Sequence, residues 1–468
     1  MTASSASLAL VGVIAIILLV AGTTEARVRS SAEWQGRRIY QVMTDRFSCT
    51  DNANAPNCNV NEYCGGSYQG LVNQLDYIAG MGFNAIWISP IVQNYQGGYH
   101  GYWATNWFAV NPNFGSEQDL INFVDACHSR DIWVMLDIVV NHAGPVGTDY
   151  SQVYPFNQSE HYHSMCQVSQ YDCFTEEVYT CRLADLPDLN QTVPFVREQL
   201  TKALLWALNT FQFDGLRADT VMYIDQGYWS QLWNAIGQPY IAGEVWSSFS
   251  CNLAYAQYGV PATINYPLYY TVRNVFQSNG NMQQLGTAWR QQATLPHPQW
   301  ELNFVDNQDN DRFLQATSSI PCYKSALAYI FFTDGVPTVY YGTEQYFQGT
   351  VSDNTNRQAL WPSNYAQTDM YNFLKKVNGA YSSLNVTNYP VEERWQDESF
   401  YCLIRGPMML CTTNTDSQSQ TRTIPNLPFA GLGTVCDYFS GGYCQNGQAT
   451  MTITINAGDS PILIMKQQ

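Results

Sequence analysis

The chain has 468 residues, 46% of them hydrophobic and 13% charged, with a formal net charge of −17. That apolar content excludes a disordered chain, and the acidic balance excludes a nucleic-acid partner, whose phosphates would be repelled. The length predicts two or three domains rather than one core.

The N-terminus opens with an apolar run, Leu8 to Ala21, too short for a comfortable membrane span. Small residues around Thr24-Glu25-Ala26 complete the pattern of a secretory signal over 1–26, whose removal leaves no membrane segment. No Lys or Arg precedes the run, so an uncleaved anchor is the other reading.

Beyond it, short apolar runs alternate with helical spacing. Arg38 to Phe47 predicts a strand, Gly70 to Met81 a helix, Phe83 to Pro90 a strand and Ser116 to Ser129 a helix. Ile132 to Val140 is apolar enough for a strand buried on both faces. Val196 to Thr210 predicts a helix. Phe213 to Asp219, Tyr240 to Glu244, Asn303 to Asp309 and Val336 to Tyr341 continue as strands. The βαβα rhythm predicts an α/β fold, a (β/α)₈ TIM barrel over 27–142 and 192–384. Such barrels carry their chemistry at the C-terminal ends of strands, where Asn141, Asp219, Glu244 and Asp309 fall. The stretch 143–191 has no clean period and predicts a small inserted domain after the third strand. Phe400 to Arg405, Met408 to Thr413, Met451 to Asn456 and Pro461 to Met465 predict an antiparallel β-sandwich domain over 385–468.

Thirteen cysteines fit an oxidising compartment. Their odd number leaves at least one free thiol or an intermolecular bond, and Cys127, in an amphipathic helical stretch, is the expected unpaired one. Asn157, Asn190 and Asn385 head glycosylation sequons. The 13 Trp and 32 Tyr suit either a large core or a cleft whose flat rings stack on sugars.

Four short motifs carry acidic residues. They are Asp137-Ile-Val-Val-Asn141-His142, Gly215-Leu-Arg217-Ala-Asp219, Gly243-Glu244-Val245 and Phe304-Val-Asp306-Asn307-Gln308-Asp309. Arg217 lies two residues before Asp219 on the same strand face, where its charge lowers the pKa of that carboxyl. In this order, each at a strand end, the motifs resemble the alpha-amylase family of glycoside hydrolases, with the nearest likeness to secreted fungal alpha-amylases. The resemblance runs from about Arg38 to Trp361.

It implies a catalytic set of Asp219 as nucleophile, Glu244 as general acid and base, and Asp309 as the carboxylate that holds sugar hydroxyls. Asp137 supports them. Tyr102, Trp103, His142, Arg217, Gln308, Asp353 and Arg357 are implied to bind substrate, Tyr102 by stacking on the sugar. Calcium is implied as a cofactor, with Asn141, Asp188 and the Tyr223 backbone carbonyl as ligands. Two departures stand out. Gln308 occupies a usual histidine position, and Met222-Tyr223 replaces a Lys-His pair. A further calcium-ligating Glu is absent, with Tyr171 and Tyr179 at the corresponding places and Glu176 or Glu177 as substitutes. The implied protein is a secreted, monomeric, retaining α-glycosidase that cleaves internal α-1,4 bonds of starch- or glycogen-type glucans. The alternatives are an α-glucosidase or transglycosylase of the same family, or a non-catalytic glucan-binding protein.

Overall fold

The computed structural model describes residues 28–459 and 461–466; the expected signal over 1–26 lies outside the described residues. Eight strands form the central sheet: β1 (Ile39–Gln41), β2 (Ala85–Ile88), β3 (Trp133–Ile138), β4 (Gly215–Ala218), β5 (Tyr240–Gly243), β6 (Ala262–Thr263), β7 (Leu302–Asn303) and β8 (Val336–Tyr340). They are hydrogen-bonded in the order β6-β5-β4-β3-β2-β1-β8-β7, every pair parallel. A parallel bridge between Ile264 and Leu302 joins the two ends and closes the barrel. All eight strands are buried throughout, as expected of strands with helices outside and packed side chains inside.

Local chemistry sets the helix ends. The helix Glu117–His128 starts at Ser116, whose hydroxyl accepts from Asp119 N while the Asp119 carboxylate receives the Ser116 N–H, a reciprocal cap. The helix Pro194–Phe211 has proline in its first turn and stops at Gln212 in a left-handed conformation.

The structure departs from the sequence pattern in four places. The first strand ends at Gln41, and Thr44–Phe47 turns into a helix. Arg46 there is fully buried and donates to the carbonyls of Val60, Glu62 and Arg357, contacts that a continued strand would not reach. The helix expected over 70–81 is split into Tyr68–Asn73 and Leu75–Gly80 at Gln74 (φ −115°). β7 stops at Asn303, because Asp306 turns back to accept from Phe313 N. β6 was not anticipated: at two residues it leaves no periodic signal.

The barrel seam between β6, β7 and β8 holds a buried carboxyl. Glu301 is 1% exposed and accepts from Thr263 N and Oγ1. Burial raises its pKa to about 8. The folded chain therefore binds a proton that the unfolded chain has released, and stability is lost as pH rises from the ordinary Glu range toward 8. Glu301→Gln is expected to raise the melting temperature at pH 8 relative to the parent, and to do so much less at pH 5. An equal shift at both pH values would refute this reading.

Two regions elaborate the barrel. An antiparallel hairpin, Val92–Asn94 with Ala104–Val110, precedes β3. After β3, residues 143–191 form 3₁₀ turns and one short helix, Glu176–Thr180. Cys166–Cys181 staples that segment, and Cys173–Cys251 ties it to the helix Phe249–Tyr258 of the barrel. The C-terminal region carries an antiparallel sheet of six strands that includes Phe400–Arg405, Met408–Thr413 and Ile462–Lys466, with a pair, Gln420–Ile424 and Met451–Ile455, beside it. Phe400, Ile404, Ile424, Phe429 and Ile453 share its apolar core. Cys58–Cys64, Cys402–Cys411 and Cys436–Cys444 complete the disulfides. Cys127 is free and buried, as expected, and so are Cys49 and Cys322. No described helix is long and apolar enough to cross a membrane.

Candidate active site

At the C-terminal mouth of the barrel, one arginine organises the acidic residues. Arg217, on β4, is fully buried. Its Nη1 donates to Asp137 Oδ1 (2.9 Å) and Oδ2 (3.1 Å) and to Asp219 Oδ1 (2.8 Å). Its Nη2 lies 2.8 Å from Glu244 Oε1 as a charge contact without hydrogen-bond alignment. Asp137 comes from β3, Asp219 follows β4 and Glu244 follows β5, so three adjacent parallel strands deliver three carboxyls to one guanidinium.

Thr220 sharpens the geometry. It adopts a left-handed conformation (φ 50°), strained for a β-branched residue by about 1–3 kcal/mol. That turn points its N–H at Glu244 Oε2, 3.0 Å away.

Asp309 enters from the loop after β7. Arg357 Nη2 donates to its Oδ1 (3.1 Å) and Gln308 Nε2 to its Oδ2 (2.8 Å). Gln308 Nε2 also donates to the Tyr102 hydroxyl (3.1 Å), which in turn donates to Asp137 Oδ2 (2.7 Å). All the acidic groups thus share one connected network.

Charge balance governs their protonation. Burial raises all four carboxyls, Asp137 and Asp219 up to about 6. Arg217 opposes this at Asp219, as the sequence suggested, but desolvation and the neighbouring charges of Asp137 and Asp309 outweigh it. At Glu244 burial is again the largest cause, and the charge of Asp219 adds to it. The arrangement favours one protonated carboxyl beside ionised ones, the division of labour that acid–base chemistry requires. His142 is buried, lies 3.1 Å from the Tyr102 carbonyl through Nε2, and is pushed down to about 4 by burial, which keeps it neutral near pH 7.

The acidic groups open on a cleft of about 640 Å³. Tyr102, Trp103, His142, Asp219, Glu244, Asp309 and Arg357 line it, as do Met222 and Tyr223. His100 stacks on Tyr102 at 5.6 Å and accepts its N–H. Sequence reasoning missed Trp246 and the apolar wall of Leu183 and Leu186. Trp246 stands two residues past Glu244, a placement that could have betrayed it; its ring stacks on Tyr266 at 4.9 Å. A larger cavity, about 800 Å³, lies between Phe373 and Tyr443, away from the carboxyls.

Three of the expected substrate contacts do not line the cleft. Arg217 lies beneath the carboxyls with no exposed surface. Gln308, 1% exposed, stands behind Asp309 and Tyr102 and donates to both. Asp353 is exposed and absent from the cleft wall; its Oδ1 accepts from Thr350 Oγ1, Thr355 N and Thr355 Oγ1, which fold the carboxylate into its own loop.

The implied calcium ligands include buried oxygens that lack partners among the described residues. Asn141 Oδ1 and Asp188 Oδ1 are both buried without a hydrogen-bond partner, and leaving such atoms unsatisfied costs about 1–3 kcal/mol each. Asp188 Oδ2 pairs with His163 Nδ1 at 2.6 Å. The Tyr223 carbonyl lies on a turn pinned on both sides, because the Tyr255 hydroxyl donates to the Met222 (3.1 Å) and Ile224 (2.9 Å) carbonyls. The Tyr179 hydroxyl lies 3.5 Å from that of Tyr255, on the acceptor side. Glu177 does not substitute for the missing carboxylate, since it accepts from Ser169 N and Gln170 N at the surface; Glu176 is exposed. Among the described residues no cluster of three or more His, Cys, Asp or Glu is arranged around a metal position. The oxygens present fit a hard cation, with one carboxylate in the set.

A parallel eight-stranded barrel with converging carboxyls at its C-terminal mouth, an insertion after β3 and a C-terminal β-domain defines a glycoside hydrolase of the barrel type. The chain belongs to the alpha-amylase family: the model of the alpha amylase catalytic domain matches residues 41–387. It is 33% identical to the alpha-amylase of Saccharomycopsis fibuligera over 467 residues, covering 94% of this chain and 93% of the relative. It is 38% identical to alpha-amylase 1 of Lipomyces kononenkoae over 382 residues, 76% of this chain but 60% of that longer protein. The structure of an alpha-amylase from Malbranchea cinnamomea superposes with a TM-score of 0.88 at 32% identity, covering 94% of this chain and 98% of the other. Alpha-amylases usually bind calcium.

Proposed function

We propose that the protein is a secreted enzyme that hydrolyses internal α-1,4-glucosidic bonds of starch- or glycogen-type glucans with retention of configuration. The observation that carries the reading is the single buried Arg217 joined to Asp137, Asp219 and Glu244 at the floor of an aromatic-lined cleft. Glu244 in its protonated form donates to the glycosidic oxygen. Asp219 in its ionised form, which Arg217 favours, attacks the anomeric carbon, and the bond to the leaving sugar breaks. The Glu244 carboxylate then takes a proton from water, whose oxygen displaces Asp219 and frees the sugar. Asp309, gripped by Arg357 and Gln308, accepts hydroxyls of the bound ring as the oxocarbenium-like state forms. Tyr102 and Trp103 supply flat surfaces for the sugar faces. The disulfides support an extracellular site of action.

The test is purified protein on soluble starch, with the products resolved by size. A spread of oligosaccharides early in the reaction supports internal cleavage. Glucose alone would point to an α-glucosidase, products longer than the substrate to a transglycosylase, and binding without new reducing ends to a glucan-binding protein.

Asn141, Asp188 and the Tyr223 carbonyl are the residues that would hold calcium, which when bound supplies positive charge between the insertion and the barrel. Calcium is expected to stabilise the folded chain by RT ln(1 + [Ca]/Kd), about 2.7 kcal/mol at a hundredfold excess over Kd, and so to raise the melting temperature. Asp188→Asn is expected to remove that response. A melting temperature unmoved by calcium or chelator would exclude the site.

A further inference from the structure

We infer that Gln41, at the end of β1, is a positioning residue for this site: its side-chain amide fixes which way round Gln308 stands, and through Gln308 it aims the hydrogen bond that holds Asp309. The inference rests on the role proposed above for Asp309. Gln41 is 3% exposed and its side chain does not line the cleft. Its Nε2 donates to Gln308 Oε1 across 267 residues of sequence. Among the described residues its own Oε1 is buried without a partner, and the bond to Gln308 is the only one this amide makes.

The polarity of the pair is what matters. A side-chain amide presents an acceptor at one end and a donor at the other. With Oε1 held by Gln41, Gln308 must turn Nε2 toward Asp309 Oδ2 (2.8 Å) and the Tyr102 hydroxyl (3.1 Å). Turned over, it would set its Oε1 against a carboxylate oxygen, and Asp309 would lose a charge-assisted bond and face a repelling lone pair. The Gln308 backbone is already fixed: its carbonyl accepts from Asn356 Nδ2 (2.8 Å) and Arg357 Nε (2.9 Å). Only the amide rotation is left open, and Gln41 closes it. The neighbouring strands hold Gln41 itself, through pairing with Tyr340 on β8 and Trp87 on β2.

This pair explains how the chain works with a glutamine where the family usually has histidine. An imidazole donates from a given nitrogen only in the right tautomer or charge state. The Gln41–Gln308 pair gives Asp309 a donor that does not titrate, provided the second glutamine sets its direction.

The test uses Gln41→Met, which keeps the volume and removes the donor, and Gln41→Glu, a near-isostere whose carboxylate demands the Gln308 donor for itself. Both are measured on soluble starch with melting temperature as the fold control. Gln41→Met is expected to lower kcat about tenfold with KM little changed, the loss of one hydrogen bond to a charged group. Gln41→Glu is expected to lose more at neutral pH, because it turns Gln308 over. The decisive readout is coupling: in a Gln308→Leu background, Gln41→Met is expected to cause no further loss. Multiplying losses in the double variant, full activity in Gln41→Met, or a milder defect in Gln41→Glu would each overturn the role. A parent without starch hydrolysis would refute the proposed function itself; an active parent with normal Gln41→Met refutes only this positioning.

Discussion

Glu244→Gln is expected to lower kcat on soluble starch by about 10²- to 10⁴-fold, the range that a general acid supplies, with KM nearly unchanged. The amide keeps the size of the side chain and can still receive the Thr220 N–H that reaches Glu244 Oε2 at 3.0 Å. What it lacks is a proton to give. Burial and the nearby Asp219 charge hold the Glu244 carboxyl above the ordinary Glu range, which keeps a protonated fraction available. The replacement is expected to leave the melting temperature close to that of the parent or above it, since a neutral amide ends a buried negative charge. Steady-state kinetics with a thermal melt separate the two effects. Normal turnover would remove Glu244 from the acid role.

Arg217→Met is expected to be the most destabilising single change at the site. Arg217 has no exposed surface, and three carboxyls converge on it. Breaking a buried ion pair from one side costs about 3–5 kcal/mol, because the remaining charges are left uncompensated. The sign with pH follows. Without the cation, the carboxyl pKa values rise further in the folded state, so stability falls as pH rises through the weakly acid range into neutrality. Urea unfolding at pH 5 and pH 7 is expected to show the larger loss at pH 7. Activity is expected to disappear as well, because Asp219 can no longer stay ionised beside a protonated Glu244. Equal stability of variant and parent at pH 7 would contradict the organising role given to Arg217.

The barrel was legible because long apolar runs such as Ile132 to Val140 survive as strands buried on both faces, and because acidic residues punctuate their ends. β6 was not legible, as two residues make no period. The break after Gln41 was hidden too, since its cause is the burial of Arg46 among carbonyls far along the chain. In the site, the residues on strand ends could be read from motifs. The polarity of their connections could not. Arg217 and Gln308 read equally well as sugar contacts or as supports, and only burial separates the two. The motif likewise does not show that two neighbouring threonine hydroxyls hold the Asp353 carboxylate outside the cleft wall. Gln41 gave no signal at all, for its meaning lies in a partner 267 residues away.

Stereochemistry gives the most direct test. Asp219 as nucleophile and Glu244 as acid require two displacements at the anomeric carbon, hence net retention, with the two carboxyls about 5–5.5 Å apart. Proton NMR of a maltooligosaccharide digest, followed from the first minutes before mutarotation, reads the configuration of the new reducing end. Release of the α-anomer first is the result that Asp219, Glu244 and Asp309 predict in these roles. Initial release of the β-anomer would contradict them.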